Sequence, residues 1–347
     1  MSNVGIIGLG KMGRLHMRNC FHLDGVKVAA VADSSHRNLR YASSIGIRDL
    51  YSDYHELLEN SNVDAVIICL PNNLHFECIK LALETGMNVF AEKPIATTIS
   101  EAKEIVKLTQ KSGSKFMPGH NMRFFDATIK MKDKLEKGYL GDLEVLTIEE
   151  IINGPFHPHV VPTPVPEWWF DKKRSGGGVL MDLGYHLLDL YRYIAGDAKV
   201  IFCNLDYKYN LPVEDSAIAI LDSGTHVKGI INVGWYQIVI FPKYNFRVIM
   251  HGTSGHLSSE DLTPRNMSMY AVKEGLKNVA RRMLKRKIHP LSYTYFYESY
   301  FKEMQHFFHC IKKDLAPEVS AEDGLRTIEL IEDSYKLFSK TLGGDEV

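Results

Sequence analysis

The chain has 347 residues, of which 45% are hydrophobic and 24% are charged, and its 41 Lys and Arg residues balance 42 Asp and Glu residues. This length accommodates two domains with separate cores. The net charge of -1 gives no overall attraction to nucleic acid or to an anionic membrane surface, so the composition predicts neither partner class.

The sequence also argues against a membrane span and against secretion. No apolar run approaches the ~20 residues that a membrane-spanning helix needs. The first residues lack the basic stretch and apolar run of a signal peptide. The five cysteines are scattered and never spaced as C-x-x-C, which predicts reduced thiols and neither a disulfide framework nor a zinc site. They are Cys20, Cys69, Cys78, Cys203 and Cys310. We therefore expect a cytoplasmic protein.

The first 120 residues alternate β-branched runs with amphipathic segments. The runs are nearly continuous in apolar residues, which is typical of strands covered on both faces in a parallel sheet. The predicted strands are Val4 to Leu9, Val26 to Ala32, Ala65 to Leu70 and Asn88 to Ala91, and the predicted helices are Met12 to Leu23, Asn73 to Thr85 and Ser100 to Lys111. Ser100, with Glu101 and Glu104 after it, is the expected start of the third helix. This order predicts a doubly wound α/β domain with right-handed crossovers.

A glycine-rich loop follows the first predicted strand directly. Residues 8 to 13 read G-L-G-K-M-G, which is the G-x-G-x-x-G pattern of dinucleotide-binding Rossmann domains. Gly8 permits the tight turn, Gly10 lets the backbone approach a pyrophosphate, and Gly13 lets helix and strand pack closely. The phosphates are expected at the positive N-terminus of the following helix. The alternative interpretation is a cluster of turn glycines that binds no ligand.

The type of dinucleotide depends on Asp33, which stands at the end of the second predicted strand. Its carboxylate can accept hydrogen bonds from both ribose hydroxyls, and its charge repels a 2′-phosphate. The sequence therefore predicts NAD in preference to NADP. Arg37 lies within one turn of Asp33 and would soften that preference.

From about residue 121 the pattern changes to longer strands with few helices between them. The predicted strands are Leu143 to Ile152, Lys199 to Tyr207, Ser216 to Leu221, Val227 to Val233 and Phe246 to His251, and the predicted helices are Gly178 to Ile194, Phe296 to Lys312 and Ala321 to Thr341. We expect a first domain over residues 1–120 and a second, α+β domain over residues 121–347. The second has an open, mainly antiparallel sheet, and its C-terminal helices can pack back on the first domain.

Further motifs complete the pattern. Residues 92–94 read E-K-P directly after a predicted strand, residues 176–186 read GGGVLMDLGYH, and residues 320–324 read SAEDG. With the glycine loop and the segment PNNLH at residues 71–75, they resemble the glucose–fructose oxidoreductase, inositol dehydrogenase and rhizopine-catabolism family (Gfo/Idh/MocA) over nearly the whole chain. The resemblance implies a homodimer or homotetramer that packs through its second-domain sheets.

The same resemblance implies the catalytic residues. Lys93 is expected beside the nicotinamide, where its charge stabilises an alkoxide that develops on the reacting oxygen. Asp182 and His186 are four residues apart on a predicted helix, so they share one face. The histidine can exchange the hydroxyl proton, and the carboxylate can orient the imidazole ring or bind another substrate hydroxyl. The alternative for Lys93 is a surface lysine in a turn. The alternative for Asp182 and His186 is an ordinary polar pair on a helix. Asp189 is expected to be structural.

The resemblance also implies the residues around the cofactor and the substrate. His75 is expected near NAD, with Asn72 capping its helix. Asn121 and Arg123 are candidate substrate residues by the same resemblance, in a segment where Met122 replaces the commoner Arg of the family. Trp168 and Trp169 are candidates for a different reason, because aromatic faces suit sugar rings, although core packing equally explains them. The residues expected around NAD are Gly8, Gly10, Lys11, Met12, Gly13, Asp33, Cys69, Leu70, Pro71, Asn72, His75, Glu92 and Lys93.

Two further segments have several interpretations. Gly154 to Pro166 contains five prolines, which predicts an extended loop of functional importance. His157 and His159 in that loop have no carboxylate or thiol at ligand spacing, so no metal site is predicted. Lys273 to Lys287 contains seven basic residues and one acid. This segment fits a solvated helix face, nucleic-acid or membrane binding, or the anchoring of an anionic substrate.

Taken together, the motifs predict reversible hydride transfer between NAD and a secondary hydroxyl or ketone of a sugar, cyclitol or nucleotide sugar. Two alternatives stay open. One is a regulatory or scaffold protein that binds NAD without chemistry, against which Lys93, Asp182 and His186 argue. The other is a family member that uses NAD catalytically in glycoside cleavage. Net reduction of added NAD distinguishes dehydrogenation from both. The sequence does not specify the substrate.

Overall fold

The computed structural model describes residues 1–156, 166–236, 246–286, 288–289 and 295–341. It divides into two compact units. The first contains Met1–Asn121 and Tyr300–Leu325, and the second contains Met122–Ser299 and Arg326–Val347. The boundary between Asn121 and Met122 therefore falls where the strand pattern of the sequence changes. The later segment Tyr300–Leu325 belongs to the first unit.

The first unit is built on a six-stranded sheet in the order β3-β2-β1-β4-β5-β6, and all five strand pairs are parallel. Its strands are β1 (Ser2–Ile7), β2 (Val26–Ala32), β3 (Asp49–Tyr51), β4 (Ala65–Ile68), β5 (Asn88–Ala91) and β6 (Phe116–Pro118). Every residue of β4 is buried, as a strand covered on both faces requires. The predicted doubly wound parallel sheet is confirmed, and the sequence analysis missed the short strands β3 and β6.

Five helices connect these strands: α1 (Lys11–Phe21), α2 (His36–Ser44), α3 (Tyr54–Asn60), α4 (His75–Glu84) and α5 (Ile99–Ser112). The predicted start of α5 at Ser100 was wrong, because Thr98 and Glu101 form a capping box that starts the helix at Ile99. The predicted cap at Asn72 was also wrong. Asn72 opens a 3₁₀ turn, and Leu74 occupies the cap position of α4.

The second unit contains a six-stranded sheet in the order β12-β11-β7-β10-β9-β8. Its strands are β7 (Leu143–Ile152), β8 (Lys199–Asp206), β9 (Ser216–Asp222), β10 (Lys228–Trp235), β11 (Phe246–Gly252) and β12 (Gly255–Ser258). The central pair, β7 and β10, is parallel, and the other four pairs are antiparallel. The predicted open, mainly antiparallel sheet is thus confirmed, with β12 missed.

The remaining helices are α6 (Asp126–Glu136), α7 (Lys172–Ser175), α8 (Tyr185–Ala195), α9 (Met267–Met283), α10 (Tyr297–Lys313) and α11 (Ala321–Thr341). The helix predicted over Gly178 to Ile194 is present, but its first part, Leu180–Gly184, is a π-helical turn that leads directly into α8. The extended loop predicted from Gly154 was wrong at its start, since Gly154–Phe156 forms a 3₁₀ turn. Residues 157–165, which include His157 and His159, lie outside the described residues.

Two properties of the described residues bear on the broad class of the protein. Among the helices in the described ranges, none is long and apolar enough to cross a membrane. Over the same ranges, no three His, Cys, Asp or Glu side chains are grouped so that they could hold a metal ion. All five cysteines are free thiols.

Candidate active site

The glycine loop joins β1 to α1, and its three glycines face different surroundings. Gly8 has a φ of 86°, and a Cβ built there would lie within 3.0 Å of the Cys69 carbonyl oxygen. A Cβ at Gly13 would lie even closer to the Gly8 carbonyl oxygen. At Gly10 the built Cβ meets no heavy atom within 4 Å. Gly8 and Gly13 therefore serve the packing of the loop, whereas Gly10 borders open space that a ligand can enter.

The N-terminus of α1 suits a bound anion. Gly10 is the N-cap residue, and no side chain caps the helix there. The first turn also contains no acidic residue. The first N–H groups of a helix have no partner within it, and they lie at the positive end of its dipole. These donors, beside the open space at Gly10, fit the pyrophosphate of a dinucleotide.

Asp33, directly after β2, ties the glycine loop to the second strand. Its Oδ2 accepts hydrogen bonds from the Leu9 amide at 2.6 Å and from the Asn38 side chain at 3.0 Å, and its Oδ1 accepts one from the Ser35 amide at 2.7 Å. A carboxylate offers roughly four acceptor positions. Three described contacts therefore hold the Asp33 carboxylate beside the glycine loop. The exposed Arg37 makes no ion pair within the described chain.

Arg14, which the sequence analysis did not single out, braces the same loop from α1. Its Nη2 donates to Asn38 Oδ1 at 2.8 Å, and its Nε donates to the Leu9 carbonyl at 3.2 Å. The guanidinium also lies 4.3 Å from the centre of the Tyr41 ring, which is a cation–π contact. Leu9 is thus held by Asp33 at its N–H and by Arg14 at its carbonyl, so contacts within the first unit fix both of its main-chain polar groups.

His75 connects the two loops that follow β4 and β5. Its Nδ1 lies 2.6 Å from the Pro94 carbonyl oxygen, and its Nε2 lies 2.8 Å from the Leu70 carbonyl oxygen. Burial lowers the pKa of His75 below its usual range, against the opposing effect of these carbonyls and of Glu92. The ring is therefore neutral near pH 7 and donates to one carbonyl at a time. It fixes the position of the loops that were expected to contact NAD.

Glu92 of the E-K-P motif faces the interior. Its Oε1 lies 2.6 Å from His16 Nε2 on α1, and both side chains are buried. Burial raises the pKa of Glu92, but the hydrogen bond from His16 and the electrostatic effects of His16 and Lys93 outweigh it, so the net shift is downward. The contact between His16 and Glu92 joins α1 to the segment that contains the E-K-P motif. The neighbouring Lys93 is half-buried, and its peptide bond to Pro94 is cis.

In the second unit, Asp182 and His186 lie on different types of helix. Asp182 is half-buried in the π-helical turn, and His186 is buried in the first turn of α8. Single π-helical turns occur frequently at functional sites, because the wider turn changes the direction of the side chains. The α-helical geometry assumed for this pair was therefore wrong in detail. The two residues nevertheless lie within one continuous helical segment.

Glu214 was missed by the sequence analysis, although it organises the start of that segment. Its Oε1 accepts hydrogen bonds from the Gly178 amide at 2.8 Å, the Leu180 amide at 3.2 Å and the Tyr335 hydroxyl at 2.7 Å. A Cβ at Gly178 would lie within 3.0 Å of the Glu214 carbonyl oxygen. This contact explains the glycine at position 178. Burial raises the pKa of Glu214 above its usual range.

Arg123 forms a buried ion pair with Asp189. Its Nε donates to Asp189 Oδ2 at 2.8 Å, and its Nη2 donates to Oδ1 at 2.5 Å. Both side chains are at most 4% exposed. This bidentate pair agrees with the structural role expected for Asp189, and it gives the Arg123 guanidinium a partner that the sequence analysis did not foresee.

The candidate substrate residues differ in their surroundings. Trp169 stacks on the buried Trp235 with ring centres 6.0 Å apart, so its role includes packing. Trp168 contacts Trp169 edge to face at 6.2 Å and is half-buried. Asn121 is buried at the end of the first unit's N-terminal segment.

Two family models match the chain. Residues 2–120 match the oxidoreductase family with an NAD-binding Rossmann fold, and residues 132–340 match the C-terminal alpha/beta domain of the same family. The chain belongs to the Gfo/Idh/MocA oxidoreductase family. It is thus an NAD-dependent oxidoreductase, and the resemblance found in its motifs is confirmed.

Individual relatives agree with this assignment. Myo-inositol 2-dehydrogenase from Thermotoga maritima is 27% identical over 333 residues, which cover 92% of this chain and 91% of the relative. D-glucoside 3-dehydrogenase from Escherichia coli is 29% identical over 197 residues, or 56% of this chain and 54% of the relative. Scyllo-inositol dehydrogenase from Lactobacillus casei, solved with NAD(H) and scyllo-inositol, has a TM-score of 0.81 at 21% identity, and the match covers 98% of each chain. It shares the fold.

Proposed function

We propose that this oxidoreductase transfers hydride between NAD and a secondary hydroxyl or ketone of a sugar, cyclitol or nucleotide sugar, with Lys93, His186 and Asp182 as its catalytic residues. Relatives named as inositol and glucoside dehydrogenases support that substrate class. Asn121 and Trp168 are the proposed substrate contacts. Arg123 and Trp169 are assigned supporting roles, because Asp189 and Trp235 already engage them.

The main support for this proposal is the position of Lys93 in the first unit. Lys93 follows β5, and the glycine loop follows β1, so both lie at the carboxyl edge of the same parallel sheet. β4 is the only strand between β1 and β5 in the sheet order. At ~4.8 Å between neighbouring strands, the two loops are about 10 Å apart, which one dinucleotide can span. Ligands of such sheets bind in the crevice at this edge.

The residues of the first unit fit NAD. The uncapped N-terminus of α1 would hold the pyrophosphate at Gly10, Lys11, Met12 and Gly13, and Asp33 would accept a ribose hydroxyl. The loops after β4 and β5, which His75 connects, would line the rest of the NAD-binding site. The cofactor residues carried in the proposal are Gly8, Gly10, Lys11, Met12, Gly13, Asp33, Cys69, Leu70, Pro71, Asn72, His75, Glu92 and Lys93.

The chemistry divides between the cofactor and three side chains. The bound cofactor would supply the hydride acceptor for oxidation of the carbinol, as NAD, and the hydride donor for reduction of the ketone, as NADH. The Lys93 ammonium group donates a hydrogen bond to the reacting oxygen and stabilises its negative charge as the proton leaves. His186 accepts that proton during oxidation and donates it during reduction. Asp182 orients the imidazole or binds a neighbouring hydroxyl.

Substitution of His186 and of Lys93 tests these roles. A fluorescence screen for NADH formation over inositols, aldoses and nucleotide sugars first identifies a substrate. With that substrate, His186→Ala lowers kcat by about 10²- to 10⁴-fold, because general acid–base catalysis contributes that much. Lys93→Met lowers kcat as well. The Kd for NAD of His186→Ala stays within about twofold of the parent, measured by titration of protein fluorescence.

A matched control is His55→Ala, since His55 is an exposed histidine on α3, and it leaves kcat unchanged. If His186→Ala turned over at the parent rate, the assignment of His186 would be wrong. The proposed homodimer or homotetramer is tested separately by analytical ultracentrifugation of the parent protein.

A further inference from the structure

Helix α9 of the second unit has an apolar stripe that faces outwards. The stripe consists of five residues spaced alternately by three and four positions, which places them on one face of an α-helix. They are Met269 (71% exposed), Val272 (65%), Leu276 (66%), Val279 (57%) and Met283 (80%). Scattered exposed apolar side chains are ordinary, but a contiguous stripe of this length marks an interaction surface.

The opposite face of α9 attaches the helix to the unit. Glu274 is buried and accepts a hydrogen bond from Lys277. The Asn278 side chain donates to the His289 carbonyl at 2.8 Å and accepts from the His289 amide at 3.0 Å. Tyr270 lies 3.5 Å from Glu298 on α10. The burial of Glu274 and the contacts of Asn278 and Tyr270 with residues outside the helix fix the rotation of α9, so the outward direction of the stripe follows from its packing.

Basic side chains border the stripe on both sides. With 3.6 residues per turn, Lys273 lies about 40° beyond Met269, and Arg282 lies about 60° beyond Val279 on the other side. Lys285 and Arg286 follow the helix and are also exposed. Between residues 267 and 286 the only acidic residue is Glu274, which Lys277 already engages. The exposed face is therefore apolar along its centre and positive along its borders.

This arrangement of apolar and basic residues determines which kind of partner fits the exposed face of α9. A second copy of the helix would have to place its own basic borders against Lys273 and Arg282, which is unfavourable. Nucleic acid would pair with the basic residues but would leave the stripe in water. An anionic bilayer surface satisfies both parts, because its interface takes up the apolar stripe and its headgroups pair with the basic borders. We propose that α9 is a peripheral membrane-binding helix specific for anionic phospholipid.

Co-sedimentation of the full-length protein with lipid vesicles tests this proposal. Vesicles of phosphatidylcholine containing phosphatidylglycerol are expected to bind the protein, whereas vesicles of phosphatidylcholine alone bind it at least about tenfold more weakly. High salt releases the protein, because it screens the attraction between headgroups and basic residues. Leu276→Asp/Val279→Asp lowers the partition coefficient at least about tenfold, because it places charge in the stripe. Lys273→Glu/Arg282→Glu lowers it as well.

The matched control is Ile129→Asp, which introduces the same charge at another exposed apolar residue, on α6 (44% exposed), and leaves vesicle binding unchanged. All variants keep the parent melting temperature and Kd for NAD. Three results would overturn the proposal: no binding of the parent to anionic vesicles, equal loss of binding in Ile129→Asp, or a smaller oligomer for Leu276→Asp/Val279→Asp in ultracentrifugation with unchanged vesicle binding. Tighter binding to duplex DNA than to anionic vesicles would also overturn it.

Discussion

Replacing Gly10 with alanine separates ligand binding from folding in the glycine loop. Gly10 has a φ of -70°, which alanine adopts without strain, and the added Cβ meets no heavy atom within 4 Å. The only structural cost is that of alanine at a helix N-cap, about 1 kcal/mol or less. The methyl group instead occupies the space through which we expect the pyrophosphate to approach the backbone of α1.

The effect on NAD binding follows from the contacts that would be lost. A hydrogen bond between a backbone N–H and a charged phosphate contributes about 1.5–3 kcal/mol. Loss of one such bond weakens binding by about 10- to 150-fold. Gly10→Ala is therefore expected to raise the Kd for NAD by at least about tenfold with little change in melting temperature.

Gly13→Ala is the matched control, because it adds the same methyl group where the protein has no room. Its Cβ would meet the backbone carbonyl of Gly8, which cannot rotate away. Overpacking costs about 1–3 kcal/mol or more, against about 1 kcal/mol gained from the higher helix propensity of alanine. Gly13→Ala is therefore expected to lower the free energy of unfolding.

Isothermal titration calorimetry with NAD and thermal denaturation measure both effects on the same preparations. We expect a large change in Kd with a small change in melting temperature for Gly10→Ala, and a lowered melting temperature for Gly13→Ala. Parental affinity for NAD in Gly10→Ala would refute the placement of the pyrophosphate at this loop.

Two further predictions concern buried charge. Arg123→Met is expected to lower the free energy of unfolding in urea by about 3–5 kcal/mol, because it leaves Asp189 as an unpaired buried charge, and Arg123→Met/Asp189→Leu should regain most of that loss. His75 has a lowered pKa, so below pH ~6.5 the unfolded chain binds a proton that the folded protein does not. Stability attributable to His75 is therefore present above that pH and is lost as the pH falls towards the lowered pKa, by at most about 1.4 kcal/mol per pH unit. The difference in free energy of unfolding between the parent and His75→Gln, measured in urea, should therefore shrink as the pH falls below ~6.5. A difference that is independent of pH would contradict this account.

The sequence was informative where a local signal sufficed. The strands at the centre of the first sheet are continuous apolar runs, and the glycine loop is a fixed spacing followed by Asp33. Strands β3 and β6 have three residues each, which is too few to show a periodicity. The π-helical turn at Leu180–Gly184 escaped prediction because its residues are also suited to an α-helix.

Contacts between distant parts of the chain could not be read from the sequence. Glu214 accepts hydrogen bonds from Gly178, 36 positions away, and from Tyr335, 121 positions away. Arg123 and Asp189 are 66 positions apart, and His16 and Glu92 are 76 apart. Each partner looks like an ordinary polar residue in its own segment, and only the fold brings the pairs together.

The central claim is that the protein catalyses net hydride transfer between NAD and a carbinol. The most direct test incubates the parent protein with NAD and each inositol, aldose and nucleotide sugar, and measures NADH by fluorescence together with the ketone product. We predict that at least one substrate gives NADH and ketone in equal amounts. Glycoside cleavage without net NADH, or NAD binding with no turnover of any of these substrates, would contradict the claim.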